Sequence, residues 1–388
     1  MVNAQRLAQT FRDLVSVDSV SRSEGALAAL LRRRFESLGA ETIIDRAGPA
    51  AGSDSGNLIV RLSGRNEVPP LLFTAHMDTV EPGRGIAAVF SEGRFTSPGD
   101  TILGADDKSA IAILLEAVTV MQEMQLPHGP LELVLTVCEE IGLLGARHLE
   151  YDMLEAQFGY ALDATDPDGL ITHAPSANHF TIKIVGREAH AGSSPEKGIN
   201  AIVLDARAIA GLPIGRIDRE TTCNVGRIEG GLATNIVAPS VTVSGEIRSH
   251  SDRKLEALTD RITAAFQSVV DDVTDSSPER EPARVDVHVG RTYCRTAIPD
   301  DHPMVVLAVR AAAGLGRALR TKKSGGGSDA NILFEHGITV GVLGTGMRDV
   351  HTTRENILLG DMVKAAELVL EIIRLHAENG GDPVTKEL

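Results

Sequence analysis

The chain of 388 residues has no tryptophan, few other aromatics and only three cysteines. Cys138, Cys223 and Cys294 stand far apart and form no Cys-x-x-Cys pair, which excludes a zinc ribbon built on paired thiolates. So sparse and odd a set of thiols fits a reducing, cytoplasmic setting. No apolar run reaches the length that spans a bilayer. The N-terminal MVNAQRLAQTFRDLV carries charges inside its apolar pattern, so it reads as an amphipathic helix and not as a signal peptide. Basic residues are also short: 38 against 53 acids, for a formal charge of −15. Phosphate backbones and anionic lipids would be repelled, so neither nucleic acid nor membrane is expected as a partner. Two hydrolase signatures are missing as well. There is no HExxH, and GGGSDA falls short of GxSxG because Ala330 stands where its last glycine belongs.

What is present is long enough for two domains. The first part alternates helical and strand patterns: PLLFTAHMDTV (70–80), LELVLTVCEE (131–140) and FGYALDAT (158–165) are apolar enough for strands covered on both faces. Between the first two, DDKSAIAILLEAVTVMQEM repeats apolar residues at helical spacing. Near Pro175 the pattern changes to strict alternation, in HFTIKIVG and VTVSGEIRS, with helices expected at about 200–212 and 252–272 and a last strand at 284–293. The expectation is an α/β catalytic domain (1–175 and 294–388), a mixed sheet covered by helices. An α+β domain of β-α-β-β-α-β order (176–293) interrupts it.

The strand ends collect the chemistry. His76 and Asp78 are two apart in HMD, Asp106 and Asp107 open a helix in GADDK, Glu139 and Glu140 end an apolar run, Asp163 ends the next, and His351 follows a glycine loop. A lone histidine is usually a core residue, and paired acids at a helix start are usually caps, a reading that suffices for Asp107. Together, however, the strand ends deliver nitrogen and oxygen donors that suit zinc, cobalt or manganese. Charge counting supports two ions. Their four positive charges would be cancelled by Asp106, Glu140, Asp163 and a hydroxide, which leaves Glu139 free to act as a base.

These stretches resemble the M20 metallopeptidases, and within them the peptidase T-like, tripeptide aminopeptidase branch. TAHMDTV, LGADDKSAIA, CEEIGLLGA, ALDA, GREAHAGSSPEKGINAI, GGLATNIVAPSVTVSGEIRS, GGGSDAN and VHTTRENI match in order along nearly the whole chain. The resemblance implies a di-zinc peptidase of short peptides. His76, Asp106 and Asp163 would hold one zinc, Asp106, Glu140 and His351 the other, with Asp78 orienting His76 and Glu139 as base. It also implies that the inserted domain is a lid that pairs two chains, with His190 stabilising the oxyanion and Asn235, Arg248, Gly326 and Gly327 contacting substrate. One position departs: the branch has an arginine where Gly325 stands. Amino-acid deacylation on the same metals and plain metal or peptide binding are the alternative activities.

Overall fold

The structure is a computed structural model, and it describes residues 2–65, 67–274, 282–378 and 380. The chain divides into two compact units. One comprises Met1–His173, Ala297–Lys323 and Ser328–Leu388; the other comprises Ala174–Thr296 and Ser324–Gly327. The short glycine segment thus groups with the inserted unit, although it lies far along the chain from the rest of it.

The first unit is built on a mixed sheet. Its central strands Leu131–Thr136, Leu71–His76, Phe158–Ala164 and Thr339–Gly344 lie side by side and parallel. Leu58–Leu62 runs antiparallel to Leu131–Thr136, and Glu41–Ile44 antiparallel to Leu58–Leu62. Both faces are covered, which is why these segments are apolar at consecutive positions and not at alternate ones. Leu71 and Phe73 enter one core with Leu131, Leu133 and Leu135, while Leu72 and Val134 enter a second core on the opposite face. The helix Ala105–Met124 lies in the first core, buried from Ala105 through Val118. No helix among the described residues is long and apolar enough to cross a membrane.

Parallel strands put all their C-terminal ends on one edge, where an open α/β sheet places its ligands. Here that edge carries His76, the segment after Thr136, Asp163 and the loop after Gly344. His76 sits opposite Thr136 and Thr74 opposite Ala161, so the ends are nearly level.

The second unit is an antiparallel sheet in the order Gly215–Arg216, Thr221–Gly230, Ser240–Ser249, Ser176–Val185, Arg284–Tyr293. Alternation now holds: Phe180, Ile182 and Ile184 share a buried face with Val241, Val243 and Ile247. Two helices cover that face. Ala201–Ala210 is capped by Asn200, which accepts from Val203 N, and Asp252–Thr274 presents Leu255, Leu258, Ile262, Phe266 and Val270 at helical spacing. The expected β-α-β-β-α-β order is present, with the two-residue strand Gly215–Arg216 added. That strand pairs only with Thr222 and Cys223, so 224–230 have no outer neighbour strand among the described residues.

Candidate metal centre

The strand bearing the two glutamates stops at Thr136, earlier than the sequence pattern suggests. Val137 and Cys138 lead into a turn, with Cys138 at φ +53°, so Glu139 and Glu140 are not successive residues of a pleat. Asp78 fixes their backbone. Its Oδ1 accepts from Glu139 N at 2.9 Å and its Oδ2 from Glu140 N at 3.2 Å. The same carboxylate lies 3.4 Å from His76 Nδ1, which also approaches the Asp78 carbonyl at 2.9 Å. Asp78 therefore holds the glutamate turn as well as facing His76.

Four side chains form a continuous row. His76 Nε2 is 3.1 Å from Asp106 Oδ1, Asp106 Oδ2 is 3.2 Å from His351 Nε2, and His351 Nε2 is 3.0 Å from Glu140 Oε1. Asp106 thus turns one oxygen toward each histidine. Ligand atoms of His76, Asp106 and Glu140 lie within 4.8 Å of one another, and so do those of His76, Asp107 and Asp163. The second group brings in Asp107, which the sequence pattern reads as a helix cap. Instead Asp106 and Asp107 have non-helical backbone angles, and Asp107 is fully buried, accepting from His76 N at 3.2 Å.

The electrostatics are those of an acid cluster short of cations. Burial pushes Glu139, Asp107 and Asp163 well above the usual carboxylate range, reinforced by the charge of Asp163 on Glu139 and on Asp107, and by that of Asp106 on Asp163. Burial also lifts Asp329 to about 6. Asp106 is held low against its burial by hydrogen bonds from His351 and His76. His351 is raised to about 10 by Asp106 and Glu140. A cavity of about 10 Å³, room for about one water-sized group, is lined by His76, Asp107, Glu139, Asp163, Ser328 and Asp329. Asp107 Oδ1 and Asp329 Oδ1 are buried without a hydrogen-bond partner. Buried, unpaired carboxylate oxygens are costly unless a proton or cation reaches them, so this donor set fits divalent metal ions. A larger cavity of about 320 Å³, bordered by Val20, Arg22, Val80 and Arg84, ends on Glu140 and Ile141.

In the second unit His190 and Asn235 are neighbours: Ala191 N donates to Asn235 O at 3.0 Å, and His190 bridges to Ile236. His190 Nδ1 accepts from Gly192 N and Ser193 N at 3.1 and 3.2 Å. In the neutral ring that leaves the proton on Nε2, the donor form. Arg248 reaches Glu246 at 3.0 Å and the Gly325 carbonyl at 3.5 Å, while its Nε is buried without a partner. Gly326 N donates to Ser324 Oγ and Gly327 N to the Tyr293 hydroxyl. Gly327 has to be glycine, because a Cβ there would stand 2.5 Å from the Tyr293 ring.

The model of peptidase family M20/M25/M40 matches residues 72–375. The chain belongs to that family. It is a peptide hydrolase with candidate metal ligands at its strand ends. The aminopeptidase PepT of Bacillus cereus is 40% identical, with 97% of this chain and 99% of that one covered and a TM-score of 0.87. A tripeptidase of Staphylococcus aureus is 37% identical, covering 97% and 100%, with a TM-score of 0.91. Peptidase T of Escherichia fergusonii is 24% identical over 96% of this chain and 99% of its own.

Three further acids at the centre of this M20 peptidase escape a motif reading. Glu24, buried, accepts from Cys138 N at 2.9 Å and from Arg22 N at 3.0 Å, so it braces the glutamate turn from below. Asp329 accepts from the Thr136 hydroxyl at the strand's last residue. Glu355 accepts from Leu103 N, Gly104 N and Asp106 N at 2.8, 2.7 and 2.9 Å. In sequence Asp329 and Glu355 lie inside the matched stretches GGGSDAN and VHTTRENI, whereas Glu24 stands outside all of them.

Proposed function

We propose that the chain is a di-zinc exopeptidase that releases N-terminal residues from short peptides, with cobalt or manganese as substitutes. The observation that carries this is the row His76–Asp106–His351–Glu140, beside which the half-buried Glu139 carboxylate accepts no hydrogen bond from the described residues. Asp106 would serve both ions, completed by His76 and Asp163 on one side and by Glu140 and His351 on the other. Bound there, two ions would polarise the scissile carbonyl and bring a water's pKa to about 7. Glu139 would accept the proton of the attacking water on its carboxylate and return it to the leaving amine. Asp78, through the two backbone N–H groups it accepts, would keep that carboxylate and Glu140 in place. The 320 Å³ cavity beside Glu140 offers room for a substrate residue.

To the second unit we assign the lid and dimerisation roles. His190 would donate from Nε2 to the developing oxyanion, and Asn235 would contact the peptide. Arg248 would take the substrate's C-terminal carboxylate. Gly326 and Gly327 already donate their N–H groups internally, so they would back Arg248 up and not replace it. The open outer edge of 224–230, with Ile228 and Leu232 exposed, supports pairing of two chains. A sparse set of three cysteines with no Cys-x-x-Cys pair supports a cytoplasmic setting.

The test is kcat/KM of the metal-loaded protein on di-, tri- and tetrapeptides with free or blocked termini, beside N-acyl amino acids. We expect cleavage to need a free N-terminus, and C-terminal amidation to lower kcat/KM about 10- to 100-fold, the worth of one lost charged contact. Gly325 has nothing within 4 Å of an added Cβ, so Gly325→Arg should be accommodated and should sharpen a preference for tripeptides. Hydrolysis of N-acyl amino acids alone would make the protein a deacylase. Metal binding with no hydrolysis would make it a binder.

A further inference from the structure

We infer that Glu355 is a positioning residue that sets the distance between the two halves of the metal centre. It rests on the metal reading above and goes beyond it, because Glu355 touches neither a ligand side chain nor a substrate position. Its carboxylate is 1% exposed, and both oxygens are spent on main chain: Oε2 on Leu103 N and Gly104 N, Oε1 on Asp106 N. Those N–H groups need an outside acceptor. Gly104 is left-handed at φ +73°, and Asp106 is non-helical at φ −83°, ψ 102°, so the start of the helix is not in a position to satisfy them itself.

The other end of Glu355 is tied to His351. Three residues separate them in a turn where Asp349 and His351 both have positive φ, at 53° and 60°. The turn is closed by Glu355 N donating to Thr352 O at 3.0 Å and by Thr352 Oγ1 donating to Asp349 O at 2.7 Å. One buried carboxylate thus joins the backbone that carries Asp106 to the turn that carries His351. The gap it spans closes at the side chains, where Asp106 Oδ2 and His351 Nε2 stand 3.2 Å apart. A rigid second partner of this kind orients ligands it does not touch. In Glu355→Gln one oxygen becomes an NH2 group that cannot accept, so at least one of the three N–H groups loses its acceptor. In Glu355→Asp the charge stays but the reach falls by a methylene.

The experiment uses the full chain and three variants, Glu355→Gln, Glu355→Asp and Glu355→Ala. Zinc affinity is read by chelator competition, the visible absorption of bound Co²⁺ reports ligand geometry, and kcat and KM are taken separately on one tripeptide. We expect Glu355→Gln to keep its circular dichroism while zinc affinity falls about 10- to 100-fold. Its Co²⁺ bands should shift, and kcat should fall more than KM changes. Glu355→Asp should recover part of each loss. Unaltered zinc affinity and Co²⁺ bands in both Glu355→Gln and Glu355→Ala would overturn the inference, and lowered melting temperature with unaltered metal binding would reduce Glu355 to a structural residue. Wild type that binds neither zinc nor cobalt would sink the metal reading itself, and this inference with it.

Discussion

Glu139→Gln should move stability and activity in opposite directions. In the metal-free protein Glu139 is a half-buried carboxylate lifted well above 4.5 by desolvation and by the neighbouring charges of Asp163, Asp329 and Glu140. Each unit of such a lift is about 1.4 kcal/mol held against the ionised form. Because the folded pKa exceeds the unfolded one, this cost is absent at and below pH 4.5 and grows as pH rises toward the folded value. The amide has no charge to bury, so metal-free Glu139→Gln should melt higher than wild type at pH 7.5. For a chain of this size each kcal/mol is worth about 2 °C. The advantage should vanish near pH 4. Activity should go the other way. Loss of a general base costs about 10²–10⁴-fold in kcat, or about 3–5 kcal/mol of barrier, while metal content should stay at the wild-type value if Glu139 is, as proposed, a base and not a ligand. Scanning calorimetry in chelator at the two pH values, metal analysis and steady-state kinetics suffice. Near-wild-type kcat refutes the base assignment, lost zinc makes Glu139 a ligand, and a lower melting temperature at pH 7.5 refutes the electrostatic argument.

Two further outcomes follow from single residues. Asp106→Asn should weaken both metal positions together, since its two oxygens face His76 and His351, whereas Asp163→Asn should weaken one; equilibrium dialysis reads this, and retention of two zincs by Asp106→Asn but not by Asp107→Asn would move the shared role to Asp107. Asp205, fully buried in the helix Ala201–Ala210 with neither oxygen bonded, is raised by burial from 3.8 to about 6. Asp205→Asn should therefore stabilise the second unit above pH 6 by about 1–3 kcal/mol, with the gain fading between pH 6 and 4, as measured by urea unfolding.

Much of this was legible in the sequence, for physical reasons that differ from element to element. Leu71–His76 and Leu131–Thr136 are apolar on both faces because helices cover both faces. The alternation in Ser176–Val185 and Ser240–Ser249 follows from a sheet covered on one face. His76, Asp163 and the glutamates could be grouped because parallel strands must end on one edge. What the pattern missed is where a strand stops short of its apolar run. Val137 and Cys138 look like strand residues, but the left-handed Cys138 depends on Glu24, 114 positions away, and on Asp78. Asp107 looked like a cap because helix starts favour acids, and nothing local says that the backbone there is non-helical. The glycines at 326 and 327 looked like open donors, whereas Ser324 and Tyr293 already occupy them.

The acids around the centre divide by one criterion that no motif expresses, namely whether backbone N–H groups reach them. Asp78, Glu24 and Glu355 are buried, and each accepts at least two backbone N–H groups. Their oxygens already hold non-helical or left-handed main chain that would otherwise carry unpaired donors, although burial still lifts Glu355 to about 7. Among the described residues no hydrogen bond reaches the carboxylates of Glu139 or Asp163, and one oxygen of Asp107 has none. A carboxylate bonded to fixed donors cannot turn toward a cation without breaking those bonds, so the first group is suited to positioning. The second group bears the cost of burial with nothing bound, and that cost is relieved when a cation or a proton arrives. In the proposed reaction Glu139 and Asp163 would serve as proton carrier and metal ligand while the acids beside them hold the backbone still.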